Sequence, residues 1–395
     1  MKLKTKSAPL AVIAADLHLD DRQWGEICGD SKYALTQVLE IALKYHVPLV
    51  LCGDVIDVKQ PSITTLTFLK QQLDKFDRRA EEQQVIYYIQ GQHEFSDPTW
   101  LSLLEPKYDP PYSQYHLLKH VTGQQFNLGK YNCYALDWTP ADKLEEELAK
   151  IPPNTDYLFC HQVWQQFMGN LTSPEGTLEK VKVRKAVFTG DYHKHIVKRV
   201  LNNKGKEIKV YSPGATHMRA INEPSEHYVY LLREDGTVDS IKLKSRLVTR
   251  IDATSKTSRL DLLANARRYI RRWSKQIKEL GLPAELQRPL LEVRVKEYSA
   301  DLSDAFHEHA LLFQKLVEKK TSPENKKAVA IVNAGVNNCL SAVLPKSSAS
   351  YKLVLRLLGA NKKDISKVVK QLRNKYLADE SCKASKHRAK KLATT

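Results

Sequence analysis

Within the first 193 residues, five apolar runs of strand length each end on a side chain that can bind a metal ion. Asp16 and His18 close the first run, Asp54 and Asp57 the second, and Gln92 and His93 the third. His161 ends the fourth, and Asp191 and His193 the fifth. These runs (Ala11–Asp16, Val47–Asp54, Val85–Gly91, Tyr157–His161, Ala186–Asp191) and a sixth, Val210–Gly214, read as strands. Helix-period segments lie among them: Ser31–Tyr45 places Leu35, Val38, Leu39 and Leu43 on one face, and Ser62–Phe76 is of the same kind. His227–Lys244 reads as a hairpin turning at Asp235-Gly236. Strands alternating with helices predict an α/β layered domain. In open sheets of that class the functional crevice lies at the carboxyl ends of the strands, so the polar residues are expected to converge.

Taken singly, each residue has an ordinary structural explanation. An Asp-x-His after a strand is a turn or a helix cap, Gly53-Asp54 a strand-ending turn, and His161 a core histidine on a backbone partner. His195 could serve in place of His193. Five such groups on five successive strand ends defeat those readings together. Aspartate and imidazole in combination suit Mn, Fe or Zn rather than Ca or Mg. The candidates exceed what one ion needs and fit two ions sharing a bridging carboxylate.

Asp16-Leu17-His18, Gly53-Asp54-Val55-Ile56-Asp57, Gly91-Gln92-His93-Glu94, His161 and Gly190-Asp191-Tyr192-His193 resemble the ordered motifs of calcineurin-like metallophosphoesterases. Those motifs run DxH, GDxxD, GNH[DE], H and GHxH, and the resemblance spans about residues 10–245. It implies an α/β fold: a two-layered β-sandwich core flanked by helices, with a smaller basic α+β capping domain and C-terminal helices. Two divalent ions are implied, Mn2+ first and Mg2+ second. Asp16, His18, Asp54 and His193 would hold one, and Asp54, Gln92, His161 and Asp191 the other. Metal-acidified water would attack phosphorus in line. His93 would protonate the leaving oxygen or steady phosphate charge, with Glu94 orienting it. Gln92 stands where the family has Asn, and Asp191 where it has the first His of GHxH, so metal preference and activity level are left open.

Tyr211-Ser212-Pro213-Gly214 and Ile221-Asn222-Glu223-Pro224 are similar to the end of the catalytic domain in SbcD-type subunits of the Mre/Rad repair nucleases. That resemblance implies DNA as substrate and an SMC-like ATPase of SbcC type as partner; no GxxxxGK[ST] occurs in the chain itself. Charge is the independent support. Residues 251–395 hold 30 Lys and Arg against 14 Asp and Glu, whereas residues 1–250 hold 32 against 31. Lys and Arg that neutralise phosphates drive nucleic-acid affinity.

The expected organisation is a nuclease domain over 1–250, a DNA-contacting cap over 251–345, a helical partner-binding region over 346–380 and a disordered basic tail over 381–395. Within it, Arg259–Leu280 reads as a basic amphipathic helix, Leu291–Lys296 as a half-exposed strand, and Ala305–Lys319 and Asn361–Tyr376 as helices. Six cysteines without a CxxC pair give no disulfide framework or zinc knuckle, and Cys52 and Cys160 read as buried hydrophobes. No apolar run approaches the ~18 residues of a membrane helix, and the N-terminal run is too short for a signal peptide, which predicts a cytoplasmic protein without membrane contact. The oligomer, a homodimer included, stays open. Two rivals to a DNA exo/endonuclease remain: a small-molecule phosphodiesterase or phosphatase, and a DNA-binding protein with a degenerate metal site.

Overall fold

Runs of aliphatic and aromatic residues form the strands, and the polar residues that follow them lie just outside. The computed structural model describes residues 7–21, 28–81, 84–96, 99–104, 118–168, 176–201 and 205–317, which carry fifteen strands and seven α-helices. Strands β1 (Pro9–Ala14), β2 (Leu49–Cys52), β3 (Ile86–Ile89) and β4 (Leu118–His120) run parallel in that order. A second sheet has β6 (Tyr131–Leu136), β7 (Tyr157–His161), β8 (Ala186–Gly190) and β10 (Glu207–Ser212) parallel. Its antiparallel edges are β5 (Gln125–Leu128) and β9 (Ile196–Leu201). The expected hairpin forms as β11 (Tyr228–Arg233) and β12 (Val238–Lys242), and β11 joins the first sheet antiparallel to β1.

The two six-stranded sheets face each other. Ile13, Val50, Cys52 and Ile89 of the first share one buried cluster with Tyr157, Phe159, Phe188 and Tyr211 of the second. Phe159 and Phe188 stack with ring centroids 5.2 Å apart. Helices α1 (Asp30–Tyr45) and α2 (Ile63–Asp77) cover the outer face of the first sheet through Leu35, Val38, Leu39, Leu69 and Phe76. On the second sheet, α3 (Ala141–Ala149) packs Leu144 and Leu148 into a cluster with Trp164, beside the short α4 (Gln165–Met168). Each fully buried aliphatic or aromatic side chain in these layers contributes about 1.5–3 kcal/mol. The layered α/β architecture stacks helix, sheet, sheet and helix, and the parallel strands of both sheets send their carboxyl ends to one rim.

A third, all-parallel sheet of β13 (Val248–Asp252), β14 (Leu290–Val295) and β15 (Leu311–Leu316) packs on α5 (Lys256–Ala264), α6 (Ala266–Leu280) and α7 (Ala300–Phe306). Three expectations change here. Arg259–Leu280 breaks at Asn265, whose side chain bonds back to the Asp261 carbonyl, so two helices replace one. Residues 291–296 are not half exposed: β14 is the central strand, and its Glu292 is buried between Arg250 and Lys315. Within 305–319, α7 ends at Phe306 and β15 follows, because pairing Leu311 through Leu316 with Leu290 through Val295 satisfies the backbone of both strands.

The chain divides into compact units at 1–317 and 318–395, and the second lies outside the described residues together with the expected regions 346–380 and 381–395. Cys52 and Cys160 are buried thiols. Among the described residues, no helix is long and apolar enough to cross a membrane.

Candidate metal centre

The backbone at the rim is strained where candidate ligands sit. Five non-glycine residues have positive φ among those described, and four of them are Asp16 (52°), His18 (42°), Asp54 (49°) and Asp191 (72°). The fifth, His46, ends α1. A left-handed backbone at such residues costs of order 1–3 kcal/mol each, and such strain gathers at functional sites. Glycines make the crowding bearable. A Cβ on Gly53 or Gly190 would overlap the His161 imidazole, and one on Gly91 would overlap the Asp54 carboxylate.

The histidines share one orientation. His161 Nδ1 donates to the Cys52 carbonyl at 2.7 Å, and Nε2 faces Asp54 Oδ2 at 3.4 Å. His193 Nδ1 bonds Glu223 Oε1 at 2.7 Å, which turns Nε2 to within 3.1 Å of His18 Nε2. His18 Nδ1 lies 3.0 Å from Asp57 Oδ1, and its Nε2 stands 3.5 Å from Asp54 Oδ2. Arg219, which can only donate, points Nη1 at His18 Nε2 from 3.2 Å. In His161 and His193 an acceptor outside holds Nδ1 and so turns Nε2 inward; His18 presents Nε2 to the same centre, although its buried Nδ1 makes no hydrogen bond. Ligating histidines are fixed in this manner.

Asp54 Oδ2 is thus ringed by imidazole nitrogens but makes no hydrogen bond itself, and neither do Asp16 Oδ2, Gln92 Oε1 and His161 Nε2. All four atoms are buried. Leaving a buried polar atom unpaired costs about 1–3 kcal/mol, a cost that a bound cation would relieve. Among the described residues, three groups have ligand atoms close enough to hold an ion: Asp16 with His18 and His193, Asp16 with Asp54 and His161, and His18 with Asp54 and His93. The buried His and Asp residues fit a metal ion.

Without one, the electrostatics are frustrated. Burial lifts Asp16 to about 6 against the pull of His161 and His193. Burial also opposes charge on His161, but Asp54 and then Asp16 and Asp191 outweigh it and raise the ring to about 10. Asp54, which burial would raise, is held far below the usual carboxylate range by His161, His18 and His93. Burial, reinforced by Arg219, keeps His18 neutral.

Asp16, His18, Asp54, His161 and His193 therefore come together as the sequence predicts. Gln92 and Asp191, the two departures from the family motifs, touch each other: Gln92 Nε2 donates to Asp191 Oδ1 at 2.6 Å, and the Asp191 amide caps Asp16 Oδ1 at 2.9 Å. Asp191 belongs to none of the three metal-capable groups, whereas His93 belongs to one. His93 Nδ1 donates to the Asp57 carbonyl at 2.8 Å, which leaves Nε2 3.9 Å from Asp54 Oδ2.

The expected pairing of Glu94 with His93 is replaced by another. Fully buried Glu94 accepts from the amides of Ile56 at 2.8 Å and Gly91 at 3.3 Å and so ties two rim loops together. Burial, then the Asp54 charge, raises its carboxyl to about 8. His195 bonds Pro213 and Ser240 and stacks on Tyr228, so His193 is the ring at the centre. Sequence reasoning missed the roles of Arg219 and Glu223. Glu223 entered only as part of a similar stretch, and nothing local to Arg219 announces it. A scan against protein-family models and a search of curated proteins return no match for the chain.

Proposed function

We propose that the chain is a dimetal-dependent DNA exo/endonuclease, working with Mn2+ or Mg2+. The observation that carries this reading is the inward turn of the histidines: His18 and His161 face Asp54 with Nε2, and His193 Nε2 stands against His18 Nε2. Asp16, His18 and His193 would bind on one side of Asp54, and Gln92, His161 and Asp191 on the other. Two divalent ions, when bound, acidify water to a nucleophile near neutral pH and neutralise charge on the phosphoryl oxygens. His93, its Nδ1 held by the Asp57 carbonyl, presents Nε2 at the half-exposed mouth to carry a proton to the leaving oxygen. Arg219, half-buried beside His18 and Asp57, is placed to grip a phosphoryl oxygen.

DNA is favoured over a small phosphoester by charge placement. Arg267, Arg268, Arg271, Arg272, Lys275 and Lys278 are all exposed on α6, while Trp273 of the same helix is buried. Residues 318–395 add 18 Lys and Arg against 5 Asp and Glu. An SMC-like ATPase is the partner this reading expects.

The test is cleavage of end-labelled linear duplex and single-stranded DNA in Mn2+, Mg2+ or EDTA, with Asp54→Ala alongside. Metal-dependent degradation is expected, falling by roughly three orders of magnitude or more in the variant while DNA binding persists. Hydrolysis of bis-p-nitrophenyl phosphate without DNA cleavage would favour a small-molecule phosphodiesterase. Tight DNA binding with fewer than two ions per chain and no turnover, even with an ATPase partner added, would mean a degenerate site.

A further inference from the structure

The hydrogen bonds that orient His193 continue out of the metal centre into the third sheet. Glu223 bonds His193 Nδ1 through Oε1, and its Oε2 accepts from the amides of Arg219 at 2.6 Å and Ala220 at 3.2 Å. The backbone of the same loop is held from the other side. Arg250 Nη2 donates to the Glu223 carbonyl at 2.7 Å and the Ile221 carbonyl at 2.8 Å. Arg250 lies in β13 directly opposite Glu292 of β14, and its Nε donates to Glu292 Oε2 at 2.9 Å. Glu292 is only 5% exposed and has Lys315 of β15 3.8 Å from its other oxygen. A buried carboxylate on the central strand thus fixes the direction of the guanidinium.

We propose that Arg250 is a positioning residue for the metal centre, gripping the 221–223 backbone so that Glu223 holds His193 in its ligating orientation. This rests on the reading of His193 as a metal ligand. The planar fork of Arg250 engages two carbonyls and a carboxylate at once, which a lysine ammonium on a flexible stem cannot reproduce. Loss of an outer partner of a ligating histidine weakens metal affinity roughly 10- to 100-fold.

The test is Mn2+ titration of the EDTA-stripped full chain, with free Mn2+ read by electron paramagnetic resonance and melting followed in EDTA. Arg250→Ala is expected to weaken one Mn2+ about tenfold, and Arg250→Lys to recover part of the loss. Removing Arg250 from a Glu223→Gln background should add less than about twofold, because the route is already cut. Should Arg250→Ala fail to fold, Arg250→Met with Glu292→Gln carries the test, since no unpaired buried carboxylate is left behind. Parental Mn2+ affinity in the Arg250 variants, with one ion lost in His193→Ala, would overturn the proposal and leave the ligand reading standing. So would full additivity of the Arg250 and Glu223 changes, which marks a purely structural role. Parental affinity in His193→Ala itself would remove the ligand reading and the proposal with it.

Discussion

The candidate metal centre and the joint at Arg246 bury charge in opposite ways. Arg246, 4% exposed, donates from all three nitrogens: to the Asp30 carboxylate at 2.7 Å and to the carbonyls of Cys28, Glu285 and Arg288 at 2.7–3.1 Å. It thereby ties the start of α1 to the segment leading into β14. At the centre, Asp16, Asp54, Gln92 and His161 keep atoms without hydrogen bonds, on a backbone strained at four positions. A charge completed by its own protein is architecture. A cluster left incomplete at comparable depth, at a cost the fold could have avoided, is built for something that arrives later.

The largest effect that can break this contrast is expected at the joint. Arg246→Met leaves the Asp30 carboxylate and three carbonyls facing an apolar side chain. Burial already raises Asp30 above its ordinary value despite Arg246. Breaking a buried pair from one side costs about 3–5 kcal/mol. Urea unfolding of the metal-free protein should show a loss of that order; a loss below about 1 kcal/mol would make the joint as incomplete as the centre.

A smaller difference separates two glycines. A Cβ at Gly91 would collide with the Asp54 carboxylate and its amide, both fixed by the rim. Gly123 has φ +64° but nothing within 4 Å of where a Cβ would stand. Gly123→Ala should therefore cost about 1–2 kcal/mol, the price of a left-handed alanine. Gly91→Ala should cost at least about 3 kcal/mol, because overpacking adds to any conformational penalty. Equal losses by thermal unfolding would mean that the rim yields, and that its close approach is not what shapes the site.

The centre was legible because its residues are local to strand ends. A strand's direction carries the polar residue that follows it to one rim, so order along the chain substitutes for distance in space. Asp16, His18, Asp54, His161 and His193 needed no more than that. Glu94 was misread because adjacency to His93 suggests contact, while its side chain turns inward to two amides instead. Glu223, Arg219 and Arg250 were unreadable for a different reason: they act across 27 to 201 positions of chain, through loops with no periodicity. In the third sheet, β15 was mistaken for helix because its pairing partner, β14, decides its state and lies about 20 residues earlier.

The smallest expected effect contrasts two buried histidines in the metal-free protein. Burial works against charge on both. At His161 the Asp54 carboxylate reverses it, whereas at His217 the neighbours His227 and Arg219 reinforce it and hold the ring at about 3. The folded pKa of His217 is thus below the unfolded value near 6.5, so the folded state binds fewer protons. Its contribution to stability is fully present above pH 6.5 and is lost as pH falls toward 3. Between pH 7 and pH 6 that loss amounts to about 0.7 kcal/mol. Asp16, raised to about 6 by burial, acts in the opposite sense, since the folded carboxyl takes up a proton as pH falls toward 6 while the unfolded one stays ionised. The parent's pH profile therefore combines both signs, and the difference between parent and His217→Gln isolates one. Urea unfolding in EDTA at pH 7 and pH 6 should show the variant losing about 0.7 kcal/mol less than the parent. Parallel profiles would mean that His217 reaches solvent or an acceptor in the folded state, and that neighbouring charge does not separate the two rings.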